Sequence, residues 1–207
     1  MNPLVRRYLK TAIAFLLVEQ IERPFSRLVP YDDFPKHVRV IDFEGSEVDF
    51  LAKFKGMPED QVRGMLEHVT GAAAEIGLNY DFDSLQHTRT VKAHELLHFA
   101  KANGRQLEME ERLMKAYFEE GRHVGRDEDL ADLAAEVGLD RDEVLRSLES
   151  GEFLDAVEAD QAQAVEFGIR GVPFFVIDGK YGVSGAQAPE TFTGVFDRIV
   201  EERAEVS

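Results

Sequence analysis

Apolar residues recur at helical spacing through the middle of the chain. Between Met57 and Gly77 they fall three or four residues apart, which predicts an amphipathic helix. Pro58 suits its first turn, and Glu59 and Asp60 favour the positive end of its dipole. Further helices are predicted at residues 89–102, 109–120, 127–137, 141–150 and 152–167, each followed within two residues by a glycine. The sequence therefore predicts an all-helical block.

The hydrophobic pattern at the two ends of the chain is typical of strands. Residues 174–177 are apolar, Asp178 and Gly179 form a typical hairpin turn, and residues 181–184 predict a second short strand. An amphipathic helix is predicted from near Pro189 onward, and residues 15–18 and 38–43 predict two further strands. The predicted order is β-β, a helical block, then β-β-α.

The charge and composition of the chain argue against several kinds of binding partner and functional site. The chain has 207 residues and a formal net charge of -16, so this acidic protein is not expected to bind nucleic acid or membrane surfaces. Its longest apolar run, residues 11–18, is far shorter than the roughly 20 residues that cross a bilayer. It contains no cysteine, which excludes disulfides, thiolate metal sites and cysteine nucleophiles among these residues.

One family resemblance rests on the segment GVPFFVIDGKYGVSGAQ, residues 171–187. This segment resembles the C-terminal half of DsbA-family thioredoxin-fold proteins, and is closest to their FrnE-like cytoplasmic branch. The resemblance continues back through YFEEGRHVGRDEDLADLAAEVGLD and TVKAHELLHFA. It implies an α/β thioredoxin-like fold with a large all-helical insertion, in which residues 1–56 and 169–207 form the thioredoxin-like domain and residues 57–168 the insertion. It also implies a cytoplasmic location and thiol-disulfide oxidoreductase activity.

The resemblance also locates the region where a redox site would lie. In the family a Val-Pro bond, here Val172-Pro173, is cis and packs against a Cys-x-x-Cys motif at the start of the first helix. Alignment of residues 15–18 with the first strand assigns that motif to Arg23, Pro24, Phe25 and Ser26. Alternatively, the start of the chain is a truncated or replaced form of this region. Under either interpretation these residues supply no thiolate to attack a disulfide.

Two functional interpretations follow from the resemblance. The first is a redox-inactive binding or scaffold protein that takes a peptide or a small thiol ligand at Val172, Pro173 and His94. The second is a glutathione-using transferase or isomerase similar to 2-hydroxychromene-2-carboxylate isomerases, with glutathione held at a helix N-terminus near Ser26. Arg23 would then pair with a glutathione carboxylate. The alternative role for Ser26 is that of a simple helix cap.

A third interpretation rests on HELLH, residues 94–98, which matches the H-E-x-x-H motif of zinc peptidases. In such enzymes two histidines one turn apart, here His94 and His98, hold zinc while the glutamate activates water. A helical wheel places both histidines at the edge of the apolar face and Glu95 on the polar, solvent side. On this basis we expect Glu95→Gln to leave stability unchanged.

The residues downstream of HELLH do not complete a known zinc motif. A metzincin has glycine and histidine at the positions that Lys101 and Gly104 occupy. Glu119 or Glu120 would have to supply a third ligand. We therefore expect structural or hydrogen-bonded histidines here and no catalytic metal.

Overall fold

The computed structural model describes residues 45–171, 173–185 and 187–205. The described residues divide into two units by their internal contacts, one within residues 45–167 and one within residues 168–205. The strands predicted at residues 15–18 and 38–43, the segment Arg23 to Ser26 and Val172 lie outside the described residues.

The described part of the first unit is helical. Its elements are α1 Glu47–Lys55, α2 Glu59–Glu75, α3 Val91–Ala102, α4 Gln106–Glu119, α5 Asp127–Glu136, α6 Arg141–Ser150 and α7 Leu154–Glu166. The bounds of α2 to α7 confirm the predicted helices to within three residues. Helix α1 was not predicted from the sequence.

Capping residues mark both ends of helices α1 and α6. The Ser46 side chain accepts a hydrogen bond from the Asp49 amide, 3.1 Å long, at the start of α1. The Asp140 side chain caps α6 in the same way through the Glu143 amide, 2.9 Å away. Both helices end at a glycine in the left-handed conformation, which residues with a Cβ rarely adopt.

The core of the helical unit lies around α3, which contacts α4, α5, α6 and α7. Its most deeply buried apolar side chains come from all of these helices except α7, and they include Leu96, Met109, Leu130, Leu133, Val144 and Leu148. Burial of each such side chain stabilises the fold by about 1.5–3 kcal/mol. Helix α3 therefore packs against neighbours on more than one of its faces.

The described part of the second unit is a β-β-α arrangement. Strands β1 (Phe174–Ile177) and β2 (Tyr181–Ser184) pair antiparallel, and helix α8 (Pro189–Glu205) follows. Asp178 and Gly179 both have positive φ, 56° and 64°, and the Lys180 amide donates to the Ile177 carbonyl oxygen at 3.2 Å, which confirms the predicted hairpin turn. The rings of Phe175 and Phe192 meet edge to face, with centroids 5.1 Å apart, so α8 packs on the hairpin.

None of the helices in the described ranges combines the length and the apolar character needed to cross a membrane.

Candidate functional site

The Pro173 loop, the segment before β1 that includes Gly171 and Pro173, is joined by one backbone hydrogen bond to the residue that follows β2. Pro173 is buried, and its carbonyl oxygen accepts a hydrogen bond from the Gly185 amide at 2.8 Å. Gly185 has a φ of 82°, which favours glycine. The side-chain amide of Gln187 donates to the Ser184 carbonyl oxygen at 2.8 Å. Pro173 therefore has a defined backbone position at the end of the hairpin.

The first residue of β1 makes an unusual cross-strand contact. Phe174 pairs with Ser184, but its ring reaches diagonally to Gly182. A Cβ atom added to Gly182 would lie 2.9 Å from Phe174 Cζ and 3.2 Å from Phe174 Cε1. Glycine within a strand commonly marks such a close approach. The ring thus covers a place where any other residue would carry a side chain.

The two histidines of HELLH lie on α3 in different surroundings. His98 Nε2 is 2.9 Å from Asp160 Oδ2, so the imidazole links α3 to α7. The His98 ring also lies nearly parallel to that of Phe153, at a centroid distance of 6.3 Å. His94 retains an exposed surface, yet the protein atoms around its imidazole displace water and so lower its pKa. The neighbouring His98 lowers the pKa of His94 as well.

The placement of Glu95 on the solvent side of α3 was wrong. Its side chain is only 2% exposed, and its Oε1 lies 3.2 Å from Lys92 Nζ. The Lys92 ammonium also donates to the Leu148 carbonyl oxygen, near the end of α6. Glu95 Oε2 is buried without a hydrogen-bond partner. The wheel assumed one buried face, whereas four helices contact α3 and bury this flank as well.

This placement of Glu95 removes the basis for comparing HELLH with a zinc peptidase. A water-activating glutamate must face the metal-bound water, and Glu95 instead pairs with Lys92 inside the protein. Glu120, a candidate third ligand, accepts a hydrogen bond from Arg112 at 2.6 Å. Within the described ranges, no group of three or more His, Cys, Asp or Glu residues is arranged to hold a metal ion.

The structure also contains a partly buried polar pair that the sequence did not indicate. Glu47 is 4% exposed, and its Oε2 lies 2.9 Å from His87 Nδ1. The imidazole of His87 stacks on Phe50 with a centroid distance of 3.6 Å. Burial, followed by the negative charge of Glu47, raises the pKa of Tyr117. The pair joins residues 40 positions apart, and only the unpredicted α1 brings Glu47 to His87.

Residues 30–197 match the DSBA-like thioredoxin domain family. The matched region includes the Pro173 loop, α3 and the hairpin, and it begins after Arg23 to Ser26.

Two curated relatives show the extent of the similarity. The chain is 32% identical over 126 residues to the uncharacterized protein YwbO of Bacillus subtilis (strain 168), which covers 58% of this chain and 60% of YwbO. It is 28% identical over 92 residues to the thiol:disulfide interchange protein DsbA of Azotobacter vinelandii, which covers 44% of this chain and 43% of that protein. The chain therefore spans less than two thirds of either relative.

A solved structure extends the similarity to three dimensions. The crystal structure of the probable DsbA oxidoreductase SCO1869 from Streptomyces coelicolor superposes with a TM-score of 0.71 at 35% sequence identity. The match covers 78% of this chain and 70% of that one. Together with the family match, it confirms the predicted thioredoxin-like fold with a helical insertion.

Proposed function

The chain belongs to the DSBA-like thioredoxin domain family, and from this premise we propose that it is a redox-inactive member that binds extended peptides at the Pro173 loop. One observation carries the proposal. The chain keeps the hairpin and the anchored Pro173 carbonyl, yet its 207 residues include no cysteine. Dithiol exchange requires a thiolate, whereas binding through backbone hydrogen bonds does not.

We further propose that the protein belongs to the FrnE-like branch and acts in the cytoplasm. The segment residues 171–187 and the TVKAHELLHFA segment support the assignment to this branch. The predicted cis Val172-Pro173 bond and a ligand contact by His94 are part of the same proposal. Glutathione is a second candidate ligand, and it requires an anion-binding helix N-terminus near Ser26.

The binding proposal is tested by nuclear magnetic resonance titration of the isotopically labelled chain. Two probes are added separately to millimolar concentration, the oxidised insulin B chain as an unfolded peptide and reduced glutathione. We expect the peptide to shift the amide signals of Gly171, Phe174 and Gly185, because these residues surround Pro173. Shifts with glutathione alone would favour the transferase or isomerase interpretation. Unchanged amide signals with both probes would contradict ligand binding at this loop.

One variant and one control accompany the titration. His94→Asn keeps a polar side chain of moderate size on the exposed part of α3, and weaker binding in this variant would support a ligand contact by His94. In the control, the unmodified chain is incubated with reduced insulin, or with insulin and dithiothreitol. We expect no oxidation or reduction above background, because these residues carry no thiol.

The assignment of Arg23 to Ser26 to the Cys-x-x-Cys position has its own test. In the double variant Arg23→Cys with Ser26→Cys, the alignment predicts that the two thiols form a disulfide under mild oxidation. A disulfide requires Cα atoms about 4.4–6.8 Å apart. Thiols that remain free after oxidation would exclude this alignment and favour a replaced N-terminal region.

A further inference from the structure

A second feature of the hairpin bears on the same loop, and its interpretation rests on the proposed function. Phe174 follows Pro173 directly, and its ring lies across β2 at Gly182, two residues from its own strand partner Ser184. Diagonal neighbours of this kind are about 7–8 Å apart, a distance that an aromatic side chain spans. Gly182 leaves that space open because it has no Cβ.

The contact connects the ring to the backbone of the loop. Pro173 and Gly185 form the hydrogen bond that lies next to the Phe174 and Ser184 pair. Displacement of the ring would therefore act on the first residue of β1, and through it on the Pro173 carbonyl. We propose that Gly182 is a positioning residue, which seats the Phe174 ring and so holds the Pro173 loop in its ligand-binding conformation.

Substitution of Gly182 can test this role without unfolding the hairpin. In Gly182→Ala, the nearest atom to the new methyl group is Cζ at the far end of the Phe174 ring, 2.9 Å away. The ring can turn away about χ1, whereas a backbone atom could not. The expected result is a folded protein with a displaced ring.

The first measurement needs no ligand. Hydrogen exchange of the Gly185 amide reports on its bond to the Pro173 carbonyl, and we expect it to be about fivefold faster in Gly182→Ala, a factor typical of one net hydrogen bond. Gly194→Ala is the matched control, because Gly194 lies in α8 of the same unit with no atom within 4 Å of an added Cβ. Exchange of the Gly185 amide should not change in that control.

A double-mutant cycle separates positioning from a general effect of losing glycine. Phe174→Leu removes the distal ring atoms, so it should accelerate Gly185 exchange by itself, and Gly182→Ala should add nothing further in this background. An additive effect, or wild-type exchange in Gly182→Ala, would overturn the inference.

The second measurement uses the oxidised insulin B chain. The affinity of this peptide for Gly182→Ala should fall by about the same factor as the rise in the exchange rate of the Gly185 amide. The control variant Gly194→Ala should bind the peptide as the unmodified chain does. Unchanged affinity despite faster exchange would also overturn the inference. If the unmodified chain does not bind the peptide, the proposed function is contradicted, and the exchange cycle alone decides whether Gly182 positions the loop.

Discussion

Replacing Lys92 with methionine tests the buried position of Glu95. Lys92 is the partner of Glu95 Oε1, and the glutamate side chain is 2% exposed, against 32% for the lysine. The substitution leaves a carboxylate in the protein interior without a counter-charge. The reverse change, Glu95→Gln, leaves a lysine that still reaches solvent and donates to the Leu148 carbonyl oxygen. The two variants should therefore differ in stability.

The difference can be given a magnitude. Removing one partner of a buried ion pair typically costs about 3–5 kcal/mol, and we expect the lower end, about 3 kcal/mol, because Lys92 is partly hydrated. For Glu95→Gln we expect about 1 kcal/mol, the net value of one hydrogen bond. In a chain of this size each kcal/mol lowers Tm by about 2–4 °C. Lys92→Met should therefore melt about 6–12 °C below the unmodified protein.

Urea unfolding followed by circular dichroism at pH 7 measures the loss of stability in both variants. The double variant Lys92→Met with Glu95→Leu should regain most of the lost stability, since it contains no buried ion. Equal losses in the two single variants would refute the buried placement of Glu95.

Two further predictions concern glycine contacts and pH. A Cβ on Gly125 would lie 2.3 Å from a threonine hydroxyl oxygen and 2.6 Å from a backbone carbonyl oxygen, so Gly125→Ala should cost about 1–3 kcal/mol in urea unfolding. Gly64→Ala within α2 should instead stabilise by about 0.5–1 kcal/mol, and the opposite order would contradict this packing. Hydrogen bonds from Arg112 lower the pKa of Glu120 and of Glu136 from the ordinary value of 4.5. Because both carboxylates are favoured in the folded state, they stabilise the fold above that pH. The stability deficit of Arg112→Met should therefore be largest at neutral pH and shrink below about pH 4.5, and a deficit independent of pH would contradict the role of these bonds.

Elements whose structure depends on neighbours in sequence were predictable. The strands of the hairpin were predicted with the bounds they have, because Asp178 and Gly179 accept the positive φ values of the turn and strand-forming residues flank them. Helices α2 to α7 were predicted because their apolar residues repeat every three or four positions. The nine-residue α1 offered too few turns for that signal, although Ser46 and Gly56 bound it with recognisable caps.

The sequence also determined that these 207 residues hold no thiol, since composition does not depend on folding. Only the tertiary structure decided the environment of Glu95, the Glu47 and His87 pair, and the link between His98 and Asp160. The last two pairs join residues 40 and 62 positions apart. A helical wheel gives the direction of each side chain around one axis, but the number of helices packed around that axis determines which directions are buried. Four neighbours contact α3, and their packing encloses a carboxylate that its own helix alone would leave in solvent.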